Sequence, residues 1–267
     1  MSNPDKNLIA IDVDGTLLAP DYSLSAKTAS FLRALSERGI WIVLSSGRPY
    51  RAMKEYYEAL GCRGPLICHN GAHVFSPDGS FPEYKKTFPK EEVLLFLKEA
   101  SPYLRGVQAE GENALFRDGM DGELNPFFPE AGMDIVQGRM EAILQEDPYA
   151  VVLREKKRDD GLFSVLARRH PSLLWRHWTG SCFSELALPG VSKGSALSFI
   201  KNVLGIPKEN CFAFGDSDND LEMLLEAGHP FAMRNSKSKA LLSSFPITEK
   251  GNGEDGVAFE LSKHFGF

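Results

Sequence analysis

Apolar and polar positions alternate in blocks at the start of the chain, and the blocks have the lengths of strands and helices. The apolar run Leu8–Ile11 predicts a buried strand, and the polar stretch after it contains Ser23 and Ser25, either of which can cap a helix. That helix is predicted to end at Gly39, because glycine readily adopts the left-handed backbone found at helix C-termini. A second apolar run, IWIVL, follows directly. The chain is therefore predicted to open with a strand, a helix and a strand.

The same order of elements returns later in the chain. A helical stretch from about Pro49 to Leu60 precedes the run PLICHNGA, and near the C-terminus helices are predicted over Ser195–Leu204 and Leu221–Ala227, with the apolar run CFAFGD between them. The short runs PFAM and PIT and a terminal helix complete this part. Apolar strands that alternate with helices predict a parallel sheet covered by helices on both faces, which is a doubly wound α/β fold.

Residues 83–188 depart from this pattern. They contain one clear helical segment, KEEVLLFLKEA, and several strand-like segments separated by turns rich in Gly, Asp and Pro, namely ALFRDG, YAVVLRE, LLWRHW and FSELAL. We interpret them as an α+β domain inserted into the first one, with its two ends leaving and rejoining that domain at neighbouring points. The predicted architecture is a doubly wound core of residues 1–82 and 189–267 and an inserted domain over 83–188.

The composition is that of an ordinary globular protein, and it limits the partners to be expected. Of 267 residues, 43% are hydrophobic and 25% are charged, and the formal net charge is -6. No strongly basic face is predicted that would bind nucleic acid, so an anionic ligand would have to meet a few placed cations or a metal ion. The N-terminal sequence lacks a secretory signal, and no apolar run reaches the roughly 18 residues of a membrane span. We therefore expect a cytoplasmic protein with no membrane partner.

The cysteines and histidines form no recognisable metal motif. The four cysteines, at positions 62, 68, 182 and 211, contain no CxxC pair, which favours buried reduced thiols over a disulfide or a metal site. His69 and His73 lie four residues apart without a second ligand pair, so we expect the histidines to have core or surface positions.

Three polar segments follow predicted strands and are the candidates for chemistry. Ligands of a doubly wound sheet bind beyond the carboxyl ends of its strands, where the loops meet. Taken alone, each segment has an ordinary interpretation as a DG turn, a surface loop or a helix N-terminus rich in acids. A calcium-binding loop is excluded for DSDND, because Leu221 and Ala227 occupy the positions that need Gly and Glu. The segments are Asp12/Asp14/Gly15/Thr16, Ser45/Ser46/Gly47/Arg48 and Gly215/Asp216/Ser217/Asp218/Asn219/Asp220.

Taken together, the carboxylates of these segments predict a bound cation. Like charges at one sheet edge repel and raise one another's pKa unless a positive group lies among them. Mg²⁺ is bound by carboxylates, waters and phosphate oxygens, so Asp12, Asp216 and a backbone carbonyl would suit it. A phosphate ester at such a site would also need Lys193, which lies at the start of a predicted helix, and the Ser46 hydroxyl.

The order of the motifs resembles a known enzyme family. DVDGTLL, SSGRP, SKG and GDSDND occur in the order of the four motifs of the haloacid dehalogenase superfamily of phosphohydrolases. NGA at Asn70, AMRNS at Ala232 and the long insertion between the second and third motifs are similar to its Cof-type subgroup, which has a large α/β cap domain. The resemblance covers nearly all of the Rossmann-like core, whereas the inserted part matches in position and size more than in its residues.

The resemblance implies a two-step reaction at the first motif. Asp12 would be the nucleophile that becomes an aspartyl phosphate, and Asp14 would protonate the leaving oxygen and then activate water, while its backbone carbonyl binds Mg²⁺. The spacing fits these roles physically, because Gly15 lets the chain bend and both carboxyls can face one phosphoryl group. Lys193 would complete the catalytic set.

The resemblance also implies which residues hold the ligands. Mg²⁺ would be the cofactor. Ser46 stands where the family often has Thr, a change that keeps the hydroxyl. The phosphate-binding residues would be Ser46, Gly47, Lys193 and Asn219. The metal ligands would be Asp12, Asp14, Asp216 and Asp220.

The expected activity is that of a Mg²⁺-dependent phosphatase acting on a small phosphorylated metabolite. Members of the family act on sugar phosphates, pyridoxal phosphate and flavin mononucleotide, so we expect a substrate of this class and a monomer or homodimer. A phosphomutase on the same scaffold and a non-enzymatic receiver-like switch with a phosphorylated Asp12 stay open as alternatives.

Substrate choice is expected to lie in the inserted cap, which would close over the core site and exclude water. Asn70 and Gly71 are interpreted as a hinge or rim. Arg48 could reach the substrate or tie down its loop by a salt bridge, and we favour the salt bridge. Four residues are candidate contacts to the leaving group, with solvated surface as the default interpretation for any one of them: Arg154, Arg176, His177 and Glu185.

Overall fold

The structure is a computed structural model that describes residues 7–157, 160–178 and 180–266. The chain divides into two compact units: the first contains the residues up to Lys85 and those from Ser192 onward, and the second runs from Lys86 to Val191. The sequence predicts these boundaries after residues 82 and 188. The functions assigned to the two units, a catalytic core and a specificity domain, stay predictions.

Strands and helices alternate through most of the first unit, and strands dominate the second. The strands are β1 (Leu8–Asp12), β2 (Trp41–Ser45), β3 (Leu66–Cys68), β4 (His73–Phe75), β5 (Tyr84–Lys85), β6 (Leu104–Glu110), β7 (Ala114–Asp118), β8 (Asp134–Gln137), β9 (Ala150–Glu155), β10 (Leu174–His177), β11 (Phe183–Ala187), β12 (Cys211–Gly215) and β13 (His229–Ala232). The helices are α1 (Ala26–Glu37), α2 (Lys54–Ala59), α3 (Lys90–Ala100), α4 (Met140–Ile143), α5 (Asp160–Arg169), α6 (Lys193–Leu204), α7 (Leu221–Leu225), α8 (Lys239–Ser244) and α9 (Gly256–Phe265).

The first unit is built on a seven-stranded sheet with the order β13-β12-β1-β2-β3-β4-β5. The strands from β13 to β3 are parallel, and β4 and β5 add an antiparallel hairpin at one edge. Because β1 lies between β2 and β12, the loops that follow these three strands meet at one edge of the sheet. The predicted α/β class with a doubly wound core is confirmed.

Both faces of β1 are buried, as the continuous apolar run predicts. Ile9 and Ile11 pack with Leu32 of α1 on one face, whereas Leu8 and Ala10 belong to a second core on the other face, together with apolar side chains of α6 and α7. Burying an aliphatic side chain of this size contributes roughly 1.5–3 kcal/mol to stability. The two cores therefore fix β1, and with it the position of the residue that ends it.

Helix α6 shows how the local sequence sets an element that matters for the site. Ser192 caps the helix by accepting a hydrogen bond from the Ser195 backbone N–H, while Ser195 Oγ accepts one from the Ser192 N–H. Gly205 ends the helix with a left-handed φ of 64°. This capping box places Lys193 in the first turn of α6.

The second unit contains a six-stranded sheet with the order β10-β11-β9-β6-β7-β8. Its neighbours are antiparallel except for β7 and β8, which run parallel. Val93, Phe96 and Leu97 of α3 pack on one face of this sheet. A smaller cluster of Met120, Leu124, Phe128 and Val152 belongs to the other face.

Several elements differ from their sequence prediction. The sequence did not indicate β6, because Gln108 and Glu110 read as exposed polar positions although both are buried. The stretch predicted as a helix from Pro49 to Leu60 begins as a short 3-10 turn, and α2 starts at Lys54. The PIT segment forms only an isolated bridge between Ile247 and Ala232, because its proline cannot donate to a strand ladder.

The cysteines are reduced, as predicted, but their burial differs from the prediction at one position. Cys62, Cys68 and Cys211 are buried, and Cys182 is exposed. Within the described part of the chain, every helix is too short or too polar to cross a lipid bilayer.

Candidate active site

The three polar segments lie at one edge of the first sheet because their strands are parallel neighbours. Asp12 is the last residue of β1 and is paired in register with Ser45, the last residue of β2. On the other side Ile11 is in register with Phe214 of β12, so that Asp216 follows β12 at the same level. The register thus brings together side chains that are about 200 residues apart in sequence.

A buried lysine lies between two aspartates at the centre of this edge. Lys193 Nζ is 2.5 Å from Asp12 Oδ1 and 2.7 Å from Asp220 Oδ1. Asp12, Lys193 and Asp220 are almost completely excluded from solvent. Burial alone would lower the pKa of Lys193, but the attraction of Asp12 and Asp220 raises it above its ordinary value, which favours the charged form of the lysine.

Asp220 also organises the loop after β12. Its Oδ2 accepts hydrogen bonds from the backbone N–H groups of Asp216 and Ser217, each at 3.0 Å. Gly215 allows this approach, because a Cβ atom at that position would lie 2.4 Å from the Asp220 Cβ. The Asp220 carboxylate therefore holds both the loop and Lys193.

The pKa values of Asp12 and Asp216 are both raised although Lys193 lies beside them. Burial, and then the charge of Asp220, raises the pKa of Asp12 well above its usual value, although Lys193 opposes this effect. Burial and the same Asp220 charge raise the pKa of Asp216 to about 6. Ionised carboxylates in such a place need a further positive charge.

The donor set fits a hard divalent cation. One carboxylate oxygen from each of Asp12, Asp216 and Asp220 can be chosen so that all three lie within 4.8 Å of one another. Asp216 Oδ1 is shielded from solvent and has no hydrogen-bond partner, although buried carboxylate oxygens are normally satisfied. An all-oxygen set of this kind suits Mg²⁺ better than a transition metal that prefers imidazole or thiolate.

Asp14 is more exposed than the buried acids of the site and is paired with Arg48. The Arg48 Nε donates to Asp14 Oδ2 at 2.7 Å, and Nη2 donates to Asp14 Oδ1 at 2.6 Å. Arg48 is buried, whereas 32% of the Asp14 side chain is exposed. The sequence predicts a loop-tying salt bridge for Arg48, and in the structure its partner is Asp14. The pair holds Asp14 in a fixed place beside the buried cluster.

The proposed phosphate-binding residues converge on the turn that follows β3. Ser46 is buried, and its Oγ accepts a hydrogen bond from the Arg48 backbone N–H at 3.1 Å. Asn219 Nδ2 donates to Asn70 Oδ1 at 2.9 Å. Gly47 lies against the same amide, since a Cβ atom there would be 3.0 Å from Asn70 Nδ2.

Residues after β13 support the site and were not identified as functional from the sequence. Asn235 Nδ2 donates to the Gly15 carbonyl at 2.7 Å, and Ser236 Oγ donates to the Asp216 carbonyl at 2.5 Å. Both residues belong to the sequence AMRNS, which indicated similarity to the family but no role for either residue. The available signal was their position after a parallel strand, where side chains reach the same sheet edge.

The residues predicted as leaving-group contacts lie in the second unit and are engaged there. Arg154 forms an ion pair with Glu123, and His177 Nδ1 is 3.2 Å from Glu155 Oε1. Arg176 and Glu185 occupy paired positions on β10 and β11. The four candidates are half-buried rather than fully solvated: Arg154, Arg176, His177 and Glu185.

Comparison with known proteins gives a consistent picture. A family model described as haloacid dehalogenase-like hydrolase matches residues 9–261. A 5-amino-6-(5-phospho-D-ribitylamino)uracil phosphatase of Bacillus subtilis (strain 168) is 33% identical over 263 residues, which is 97% of each chain. The HMP-PP phosphatase of Escherichia coli (strain K12) is 30% identical over 250 residues, covering 90% of this chain and 89% of its own. The structure of a haloacid dehalogenase-like hydrolase from B. subtilis superposes with a TM-score of 0.79 at 26% identity, covering 97% of this chain and 99% of the other.

Proposed function

Because the chain belongs to the haloacid dehalogenase-like hydrolase family, and is an enzyme of the phosphoric monoester hydrolase class, we propose that it forms a phosphoenzyme on Asp12 and then hydrolyses it. The observation that carries this proposal is the buried Asp12 carboxylate, held 2.5 Å from Lys193 Nζ at the end of β1. A carboxylate that is held by a buried lysine and protected from bulk water is suited to attack phosphorus.

In the first step, an Asp12 oxygen would bond to phosphorus while the bond from phosphorus to the leaving oxygen breaks. Lys193 and the Ser46 hydroxyl would hold the phosphoryl oxygens, with Asn219 and the Gly47 backbone beside them. Preorganised donors of this kind stabilise the charge that spreads over the equatorial oxygens, and they need no reorganisation during the reaction.

Asp14 would act as the general acid in the first step and as the general base in the second. It would give a proton to the leaving oxygen, and its carboxylate would then take a proton from the water that attacks the aspartyl phosphate. Each Asp14 oxygen accepts one hydrogen bond from Arg48 and keeps a second lone pair, so Asp14 can carry the transferred proton while Arg48 holds it in place.

Mg²⁺ is the proposed cofactor, and Asp12, Asp216, Asp220 and the Asp14 backbone carbonyl are the residues that would hold it. When bound, it would neutralise the buried acids and the transferred phosphoryl group. This assignment is supported by the shielded Asp216 Oδ1 and by the raised pKa of Asp216, both of which indicate a missing positive charge.

The proposed substrate is a small phosphorylated metabolite, and the proposed place where it is selected is the second unit. The relatives named above are phosphatases of an aminouracil ribitol phosphate and of HMP-PP, which supports a phosphate carried by a heterocyclic or sugar-like compound. A cytoplasmic location and a monomeric or dimeric state are part of the same proposal.

The test is release of free phosphate from a panel of phosphorylated metabolites, measured with and without Mg²⁺. We expect metal-dependent release by the wild type and none by Asp12→Asn. Asp21→Asn is the control, because Asp21 is an exposed carboxylate that accepts hydrogen bonds from Ser23 and lies outside the cluster of Asp12, Asp216 and Asp220. Full activity of Asp12→Asn would overturn the nucleophile assignment. An isomerised sugar phosphate with little free phosphate would indicate a mutase instead.

A further inference from the structure

The turn that follows β3 has an uncommon backbone. His69, Asn70 and Gly71 have φ angles of 49°, 54° and 103° in succession. Among the described residues, four that are not glycine have a positive φ, and two of those four are adjacent in this turn. A left-handed backbone costs a residue such as His69 roughly 1–2 kcal/mol, whereas asparagine tolerates it better. Such strain persists only where the surroundings enforce it, and it is concentrated at functional sites.

The backbone of this turn is bonded to the loop of the second motif. The Asn70 N–H donates to the Ser46 carbonyl at 3.0 Å, and the His69 N–H donates to the Arg48 carbonyl at 3.2 Å. The turn therefore fixes the backbone on either side of Gly47.

The same turn is packed against the start of α6. A Cβ atom at Gly71 would lie 2.2 Å from the Ser192 carbonyl oxygen and 3.2 Å from the Lys193 nitrogen. Only glycine allows this approach, because the contact is with backbone that cannot rotate away. The residue that caps α6 is thus held by the turn, directly before Lys193.

The Asn70 side chain makes the third connection. Its Oδ1 accepts the hydrogen bond from Asn219 Nδ2, 149 residues away in sequence. Asn70 is half-buried and belongs to none of the four motifs. One residue therefore connects the loops of the second and fourth motifs, and its neighbour contacts the start of the helix that carries the third.

We propose that Asn70 is a positioning residue, whose left-handed turn and carboxamide hold Ser46 and Asn219 in the mutual arrangement needed to bind a phosphoryl group. The inference rests on the proposed function, since it assigns Asn70 a task at the same site. Asn70 itself does not touch the reacting atoms in this scheme. It acts by fixing donors that must all meet one group, and a shift of about 1 Å in such donors can cost about a hundredfold in rate.

The informative variant is Asn70→Gly, because glycine keeps the left-handed backbone and removes only the carboxamide. We expect kcat/KM for p-nitrophenyl phosphate to fall by about 10- to 100-fold. The inhibition constant of inorganic phosphate should rise, and the melting temperature should stay close to that of the wild type. Asn70→Ala removes the left-handed preference as well and should lose more activity, together with stability.

Two comparisons separate positioning from a merely structural role. Asp255→Gly is the matched control, because Asp255 has a similar left-handed backbone, with φ 58° and ψ 37°, at the start of α9. It should lower the melting temperature and leave kcat/KM unchanged. In the Asn219→Ala background, Asn70→Gly should have a much smaller effect than in the wild type, because the hydrogen bond it removes is already lost.

The outcomes are distinguishable from failure of the proposed function. Wild type and Asp12→Asn are measured alongside, and absence of Asp12-dependent phosphate release would remove both proposals. If that release is present while Asn70→Gly has wild-type kcat/KM and phosphate inhibition, the positioning role alone is wrong. It is also wrong if the effects of Asn70→Gly and Asn219→Ala multiply as independent changes.

Discussion

At the scale of single residues, the position of Gly15 links the first motif to the fourth. Gly15 has a φ of 80°, and a Cβ atom there would lie 2.5 Å from Asp216 Oδ2. The missing side chain lets the turn after β1 and the Asp216 carboxylate lie in contact. The glycine of the DG pair is thus required twice, for its backbone angle and for its lack of a side chain.

Gly15→Ala should raise the Mg²⁺ concentration needed for activity in addition to lowering stability. The left-handed backbone costs alanine roughly 1–2 kcal/mol, and the clash displaces Asp216. We expect the Mg²⁺ concentration for half-maximal activity to rise about tenfold or more, as for other changes to groups that support metal ligands. Gly39→Ala is the matched control, because Gly39 has a φ of 87° and a Cβ atom added there would have no neighbouring atom within 4 Å. Equal Mg²⁺ requirements in the two variants would contradict this role of Gly15.

Lys193 allows a second test at this scale. Lys193→Met would leave Asp12 and Asp220 as buried acids without their cation, and removal of one partner of a buried pair typically costs about 3–5 kcal/mol. We expect the free energy of unfolding, measured with urea, to fall by an amount of this order. The value of kcat should fall by about 10²- to 10³-fold, as when a transition-state donor is removed. Retention of wild-type kcat by a folded Lys193→Met protein would exclude Lys193 from the reaction.

The pairings in the site could be predicted only in part. Lys193 and Asp12 are 181 residues apart, and the sequence linked them through the order of the motifs rather than through any local pattern. The pairing of Arg48 with Asp14 and that of Asn219 with Asn70 had no such signal. These hydrogen bonds form between loops that are distant in sequence and close in space. The periodicity of apolar residues does not indicate which loops contact each other.

At the scale of elements, the predictions succeeded where burial and hydrophobicity agree. The strand β1 could be predicted because both its faces are buried, so that Leu8–Ile11 form a continuous apolar run. The strand β6 was missed because it carries Gln108 and Glu110 into buried positions, where Gln108 accepts a hydrogen bond from Arg117. A strand that carries polar side chains into buried positions lacks the apolar pattern by which a sequence indicates a buried strand.

Helices α1 and α9 are joined by one carboxylate. Asp255, at the start of α9, accepts a hydrogen bond from Thr28 Oγ1 at 2.9 Å, and Thr28 belongs to the buried side of α1. Hydrogen bonds from the side chains of Ser25 and Thr28 lower the pKa of Asp255. The ionised carboxylate therefore stabilises the contact between the beginnings of the two helices.

Asp255→Asn should weaken this contact in a pH-dependent way. Asparagine tolerates the left-handed backbone, so the variant mainly loses the charge of the acceptor, at a cost of about 1 kcal/mol. A lowered folded-state pKa gives stability that is complete above the unfolded-state value, near 4, and is lost as the pH falls through the folded-state pKa. In urea unfolding, the difference from the wild type should be constant between about pH 5 and pH 7 and should shrink below pH 4. A difference that grows with acidification would show that the charge of Asp255 is not the source.

At the scale of the whole molecule, the acidic cluster that could bind a cation is confined to one of the two units. Asp12, Asp216 and Asp220 all belong to the unit built on β1 and β12. The second unit has its own sheet and its own apolar core. A bound ion should therefore stabilise one unit more than the other. The reason is that a ligand opposes only those unfolding events that destroy its binding site.

Hydrogen exchange measured by mass spectrometry can resolve this distribution. With Mg²⁺ at about a hundred times its dissociation constant, the site is stabilised by about 2.7 kcal/mol. We expect slower exchange in peptides that cover β1, β12 and the loops after them, and unchanged exchange in peptides from 86–191.

Two variants test whether the three clustered acids cause this protection. Asp216→Asn should abolish the protection. Asp218→Asn should keep it, because Asp218 lies in the same segment but accepts a hydrogen bond from Ser238 and is not among the three clustered acids. Equal protection of both units would show that the ion acts elsewhere, and loss of the effect in both variants would show that the net charge of the segment, not the ligand geometry, determines binding.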